Sequence, residues 1–141
     1  MHPSPLLAPV VALVAWSMVM FFWLAIARAP QLKGRKIPEG ARGTDLEREQ
    51  PGPTHWPAHN YQHLMEQPTV FYAIVFALIL MGFDAPINVW LAWGYVGFRV
   101  LHSLVQATVN KVAIRFPLFL LGSLCLVGLT THAALRLLLH G

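Results

Sequence analysis

The stretch His59–Phe83 reads HNYQHLMEQPTVFYAIVFALILMGF and places three ionisable side chains directly before a long uncharged run. A helix that crosses the hydrocarbon core of a bilayer needs about 20 mostly apolar residues. His59, His63 and Glu66 would then lie at the mouth of a membrane helix, where a polar side chain needs a partner or a watery cavity. The stretch therefore predicts a membrane protein with a polar site at one end of this helix.

The composition of the whole chain agrees with this interpretation. Of its 141 residues, 56% are hydrophobic and 11% are charged, whereas a soluble domain has about 25% charged residues. The single cysteine, Cys125, excludes a disulfide within the chain, and its apolar surroundings indicate a packing role. No basic stripe with interleaved aromatic residues is visible, so we expect no nucleic-acid partner.

Four segments are long enough to span a bilayer. They lie at about residues 6–27, 58–82, 86–109 and 115–139, and a loop at 28–57 joins the first two. The first lacks the basic start and the cleavage site of a signal peptide. The predicted fold class is an all-α integral membrane protein, a four-transmembrane-helix bundle that forms one domain over residues 1–141.

The basic residues predict the orientation of the chain. The loops on one side of the predicted membrane contain Arg28, Lys33, Arg35, Lys36, Arg42, Arg48, Lys111 and Arg115. The opposite side has only Arg136. Because Lys and Arg are enriched in cytoplasmic loops, loop 28–57 is expected in the cytoplasm and both termini on the non-cytoplasmic side.

Polar side chains repeat at helical spacing on the second and third segments. On the third segment they are Arg99, His102, Ser103, Gln106 and Asn110, and on the second they are His59, His63 and Glu66. Both stripes lie toward the cytoplasmic end, so we expect Glu66 to pair with Arg99. The pair alone is compatible with a purely architectural role. The larger number of polar residues favours a cavity, and Pro68 favours a bend just beyond Glu66.

A metal site is an alternative for the same residues. His59, His63 and Glu66 would share one helical face, and His102 could add a fourth ligand. The charge of Arg99 would oppose a cation there, so we assign no metal ligand and keep a metal-dependent membrane enzyme as a third hypothesis.

Two blocks of the sequence resemble one membrane-protein family. HNYQHLMEQPTVFYA at 59–73 and YVGFRVLHSLVQATVNKVAIRF at 95–116 look like the MAPEG superfamily, the membrane-associated proteins in eicosanoid and glutathione metabolism. The similarity is strongest to small bacterial members. It implies a homotrimer in a bacterial inner membrane, with ligand sites in clefts between protomers toward the cytoplasmic face.

The resemblance also implies site residues. Arg115 matches a basic residue that stabilises the glutathione thiolate and is the expected catalytic residue. The expected glutathione-binding residues are Glu66, His63, Arg99, His102, Ser103, Gln106 and Lys111. Gln62, His63 and Gln106 differ from the arginine, asparagine and tyrosine of the family's enzymes.

Two functions follow from the resemblance. The first is a glutathione-dependent transferase or peroxidase that acts on lipophilic substrates. The alternative is a non-catalytic protein that binds lipids or small molecules and keeps the cavity without the chemistry.

Overall fold

The computed structural model describes residues 2–140, so the predicted domain limits Met1 and Gly141 lie outside the described residues. This part of the chain is helical, without strands. The helices are α1 (Leu7–Leu32), α2 (Gly43–Glu49), α3 (Trp56–Leu64), α4 (Gln67–Leu80), α5 (Pro86–Thr108) and α6 (Val112–His140), and a 3₁₀ turn at Pro53–His55 precedes α3.

Helix α1 is longer than the sequence indicates. The expected end was near residue 27, before Pro30, but the helix continues through Pro30 to Leu32. Proline removes one backbone donor from a helix. Since α1 ends two residues after Pro30, that loss is confined to its last turn.

The second predicted segment, 58–82, is divided into α3 and α4. Pro68 has no N–H to donate to the carbonyl of Leu64, so the regular ladder cannot pass through this point. The amides of Met65 and Glu66 instead donate to the carbonyls of Gln62 and His63, at 3.0 and 3.2 Å. The break therefore lies at Met65 and Glu66, slightly earlier than the expected bend.

Helices α5 and α6 are joined by a tight turn. Asn110 adopts a left-handed conformation there with a φ of 52°, which asparagine tolerates better than most residues.

Pro86 lies in the first turn of α5, where its missing backbone N–H would have had no partner within the helix. Helix α6 begins at Val112, three residues before the predicted start.

Three stretches are long and apolar enough to cross a membrane: Leu7–Leu32, Pro53–Leu80 and Val112–His140. These are the first, second and fourth predicted spans. Helix α5 occupies the position of the third and has 23 residues, about 34 Å at 1.5 Å per residue. Its buried polar side chains lower its hydropathy, so its assignment as a fourth span stays a prediction.

The helices pack as a bundle. Helix α6 lies along α5, α1 packs against α3 and α5, and α4 contacts α6. The centre is apolar, and the rings of Phe71 and Tyr95 stack there with centroids 4.5 Å apart. Cys125 is half-buried against this core, in agreement with a packing role. Large apolar side chains such as Ile26 and Leu138 are exposed on the outer faces.

The loop expected at 28–57 contains more structure than predicted. Helix α2 starts where the backbone N–H of Arg42 donates to Asp45 Oδ2 at 2.8 Å. Glu47 of α2 lies 2.8 Å from His59 Nε2 on α3. This contact between Glu47 and His59 holds α2 to the bundle. The sequence does not predict α2, because its seven residues are too few to show an apolar periodicity.

Candidate functional site

The break between α3 and α4 faces the second half of α5. Arg99 Nη2 donates a hydrogen bond of 2.7 Å to the backbone carbonyl of His63, which lies in the last turn of α3 before the break. The Arg99 side chain is buried, with 3% of its surface exposed. A charged donor to a backbone carbonyl is among the stronger hydrogen bonds in proteins. Arg99 therefore braces the point where Pro68 interrupts the helix.

The expected ion pair between Glu66 and Arg99 is absent from residues 2–140, so this prediction is wrong. Glu66 Oε2 lies 3.3 Å from His63 Nδ1 instead, and the Glu66 side chain is 67% exposed. The reason is local. Glu66 has left the helical conformation at the break, with φ −94° and ψ −95°, so its carboxylate turns outward rather than toward α5.

A second contact between α3 and α5 is fully buried. Ser103 Oγ donates to Asn60 Oδ1 at 2.9 Å, and neither residue is exposed. Ser103 was expected at the site, whereas Asn60 was not singled out. The sequence contains an indication of Asn60, because it lies three residues before His63 and so falls on the same helical face.

Several polar atoms around this contact have no hydrogen-bond partner among residues 2–140. They are Arg99 Nε and Nη1, His102 Nδ1, Gln106 Oε1 and Asn60 Nδ2. Buried polar atoms are nearly always hydrogen-bonded in native proteins, and leaving one unpaired costs about 1–3 kcal/mol. The cluster is therefore suited to receive polar groups from outside the described chain.

The expected catalytic residue lies at the start of α6. Arg115 Nη1 donates to Asn110 Oδ1 at 2.6 Å, so the left-handed turn orients the guanidinium. Arg115 is half-buried, and its charge acts on both His63 and His102. The rings of these two histidines stand edge to face with centroids 6.3 Å apart.

Lys111, another expected site residue, lies in the turn between α5 and α6. Its side chain is exposed and makes no hydrogen bond or ion pair with the residues described. The other expected site residues lie around the α3–α4 break or on the facing part of α5 and α6, and they are Glu66, His63, Arg99, His102, Ser103, Gln106 and Arg115.

The metal hypothesis does not agree with the geometry. His59 Nε2 faces Glu47, and His63 Nδ1 faces Glu66. No group of three or more His, Cys, Asp or Glu side chains within residues 2–140 is arranged to hold a metal ion. His59 and His63 therefore have separate partners, because Glu47 of α2 places its carboxylate beside His59. The spacing of residues along one helix does not predict this contact. The hydrogen bond from His59 also lowers the pKa of Glu47.

A further series of hydrogen bonds connects α5 with α4 and α6, one helical turn before Arg99. Tyr95, four residues before Arg99, donates from its hydroxyl to Gln67 Oε1 at 3.3 Å. Gln67 Nε2 donates to Ser123 Oγ at 2.9 Å. Gln67 and Ser123 border a cavity of about 500 Å³ between α4 and α6, whose other walls include Val70, Leu126 and Val127. Gln67 and Ser123 do not belong to the polar stripes predicted from helical spacing.

No curated protein and no solved structure matches the chain. The MAPEG family model, in contrast, matches residues 6–135, which is nearly the whole chain. The chain belongs to the MAPEG family.

Proposed function

We propose that the protein is a glutathione-dependent transferase or peroxidase that acts on lipophilic substrates at the cytoplasmic end of the bundle. One observation carries the proposal. Arg99 contacts the carbonyl of His63 before the α3–α4 break, Arg115 contacts Asn110 in the turn between α5 and α6, and neither guanidinium forms an ion pair with a carboxylate of residues 2–140. Unpaired charge near a membrane core is costly and is characteristic of functional sites.

The charges at the break complement those of glutathione. The tripeptide has two carboxylates, one ammonium group and a thiol. Arg99 supplies a cation for a carboxylate, which forms a strong charge-assisted hydrogen bond, and the charge of Arg115 is available for the thiol. The exposed carboxylate of Glu66 supplies an anion for the ammonium group. The unpartnered atoms of His102, Gln106 and Asn60 offer both donors and acceptors beside them.

Arg115 is the residue that we assign to catalysis. A thiolate is a far better nucleophile than a thiol, and a nearby cation favours the thiolate. Each unit by which the thiol pKa is lowered corresponds to about 1.4 kcal/mol of differential stabilisation. Asn110 holds the guanidinium in place, so Arg115 needs little reorganisation when a thiolate forms beside it. Glutathione supplies the nucleophilic sulfur.

The lipophilic substrate is assigned to the cavity between α4 and α6. Its walls are mainly apolar and open toward the outer face of the bundle. Gln67 connects this cavity through Tyr95 to the helix that carries Arg99. A substrate could therefore enter from the bilayer with its polar end near Gln67.

The assembly and the orientation form part of the proposal. We infer a homotrimer in a bacterial inner membrane, with the site in clefts between protomers and both termini on the non-cytoplasmic side. The unpartnered atoms of Arg99 and Gln106 support a contribution from outside the single chain. Labelling of Asp45→Cys in a Cys125→Ser background tests the orientation, because the thiol should react from the cytoplasmic side alone.

The central test compares Arg115→Ala with Arg48→Ala in a conjugation assay with a lipophilic electrophile. Arg48 is exposed on α2 and makes no side-chain hydrogen bond or ion pair within the described residues, so it is the matched control. We expect Arg115→Ala to lower conjugation on the order of 100-fold, as loss of one transition-state donor does in other enzymes. Glutathione affinity should remain nearly unchanged, and the thiolate absorbance of the bound thiol should decrease.

The alternative is a non-catalytic protein that binds lipids or small molecules. The apolar cavity between α4 and α6 favours it, as do Gln62, His63 and Gln106, which differ from the family's enzymes. If the wild-type protein neither conjugates nor binds glutathione at millimolar concentration, the enzymatic proposal is wrong. Lipids or small molecules that remain bound in the cavity between α4 and α6 would then support the alternative.

A further inference from the structure

The opposite end of the bundle has a separate basic cluster. His132, Arg136 and His140 are spaced by four residues on the last turns of α6, so they share one helical face. Two cavities adjoin this face. One of about 190 Å³ is bordered by all three residues and Phe83, and one of about 240 Å³ is bordered by Arg136, His140 and Met81.

The cluster is held in place by a fully buried residue of α5. Asn88 Nδ2 donates to the backbone carbonyl of Phe83 at 3.1 Å, and Asn88 Oδ1 lies 2.7 Å from His132 Nδ1. A carbonyl can only accept, so the first bond fixes the amide orientation. Oδ1 must then accept from His132 Nδ1–H. The remaining ring nitrogen, Nε2, is left for a group outside this network.

Arg136 completes the cluster as a cation without an acidic partner. Its guanidinium carbon lies 5.2 Å from the centre of the Phe83 ring, within cation–π range. No carboxylate of residues 2–140 forms an ion pair with Arg136. Asp84 is adjacent to Phe83 in the chain but borders a different cavity, with Pro5 and Trp90.

We propose that this cluster binds the phosphate of an anionic membrane phospholipid. Arginine matches phosphate oxygens with paired donors, and the ring of His140 can donate a further hydrogen bond. The surrounding side chains favour a lipid over a free anion. Leu135, Leu137 and Leu139 are exposed by 47%, 60% and 71% and border the two cavities. They provide an apolar surface for acyl chains, next to a headgroup site at the end of a membrane helix.

The site is independent of the proposed glutathione site. It lies at the C-terminal end of α6, whereas Arg115 lies near the N-terminal end of the same 29-residue helix. That separation corresponds to about 30 Å along the axis. Loss of glutathione binding would therefore leave the lipid proposal unchanged, and the reverse also holds.

Native mass spectrometry of the full chain in detergent micelles tests the proposal. Phosphatidylglycerol, phosphatidylcholine and inorganic phosphate are the probes. We expect the wild type to retain phosphatidylglycerol preferentially and inorganic phosphate not to displace it. Arg136→Gln should weaken retention about fivefold or more, the contribution of one basic residue near an anionic lipid surface. Arg48→Gln removes the same charge from α2 and should have no effect, and Arg136→Lys should restore part of the binding.

Three results would overturn the proposal. Equal retention of the two lipids would remove the charge preference, and wild-type retention by Arg136→Gln would remove the role of the arginine. Displacement by inorganic phosphate would assign the cluster to a free anion instead. If Arg136→Gln does not fold, His140→Gln decides with the same measurement. His140 is exposed, so its replacement should leave the fold intact, and we expect weaker retention of phosphatidylglycerol.

Discussion

Helices α5 and α6 lie side by side but satisfy their polar groups in different ways. Helix α5 buries nine of its 23 residues, five of them polar: Asn88, Arg99, His102, Ser103 and Gln106. Helix α6 buries four of 29, all small or apolar. Its hydroxyl groups bond within the helix, as Thr130 and Thr131 donate to carbonyls four residues earlier at 2.9 and 2.8 Å.

The difference shows which helix depends on its neighbours. A hydroxyl that donates to its own helix needs no partner from outside and can face lipid. The polar side chains of α5 need partners on other elements, and Arg99 and Ser103 find theirs on α3. His102 Nδ1 and Gln106 Oε1 find none within the described chain. Helix α5 thus contains the buried polar side chains that need partners from other elements, whereas α6 contributes to the proposed glutathione site only through the half-buried Arg115 at its start.

The largest expected effect concerns the narrow buried stripe of α6. Leu129 is fully buried and Leu138 is 81% exposed. Leu129→Ala should lower the free energy of unfolding by about 2 kcal/mol or more, because it leaves a cavity that the neighbours fill only partly. Leu138→Ala should change it little, since lipid replaces the lost contacts. Equal losses in a detergent unfolding titration would contradict the division of α6 into a buried and a lipid-facing side.

A smaller loss in the free energy of unfolding is expected when the buried hydroxyl of α5 is removed, and the hydroxyl of α6 serves for comparison. Ser103→Ala removes the buried bond to Asn60 and leaves the Asn60 amide without its partner. We expect a loss of about 1 kcal/mol in the free energy of unfolding, in the range for hydrogen bonds between membrane helices. Thr131→Ala is the control, because its hydroxyl is exposed and bonds only within α6. The comparison fails if both variants are equally stable.

The smallest expected effect is the pH dependence of α2. The hydrogen bond from His59 lowers the pKa of Glu47 below its ordinary value of 4.5. A carboxyl whose pKa is lowered in the folded state stabilises that state above its ordinary pKa, and this contribution disappears as pH falls through the lowered pKa. Hydrogen-exchange protection of α2, corrected for intrinsic rates, should therefore decrease on acidification below 4.5.

Two variants check the origin of that decrease. Glu47→Gln should show the lower protection of α2 at every pH, because an amide cannot form the charged contact with His59. Glu39→Gln removes an exposed carboxylate elsewhere in the loop and should behave as the wild type does. An unchanged pH profile in Glu47→Gln would show that another group controls α2.

The sequence predicts the helices of this protein better than the contacts of its site. The helical spacing of polar residues predicts that the stripes of the second and third segments face each other, and the structure brings Arg99 and His102 to His63. The spacing does not show that Glu66 turns outward, because that depends on the backbone at the break before Pro68. It also misses Asn60, Gln67 and the contact of Glu47 with His59. In each case the partner lies on another element, which the spacing along one helix does not show.

The central claim is that the buried polar face of α5 belongs to a glutathione site. Native mass spectrometry of the wild-type protein with millimolar glutathione tests it most directly, with Arg99→Met as the comparison because methionine keeps much of the length without the charge. We expect the wild type to retain one glutathione per protomer and Arg99→Met to lose it while remaining folded. Absence of glutathione from the wild-type protein, or equal retention by both proteins, would contradict the claim.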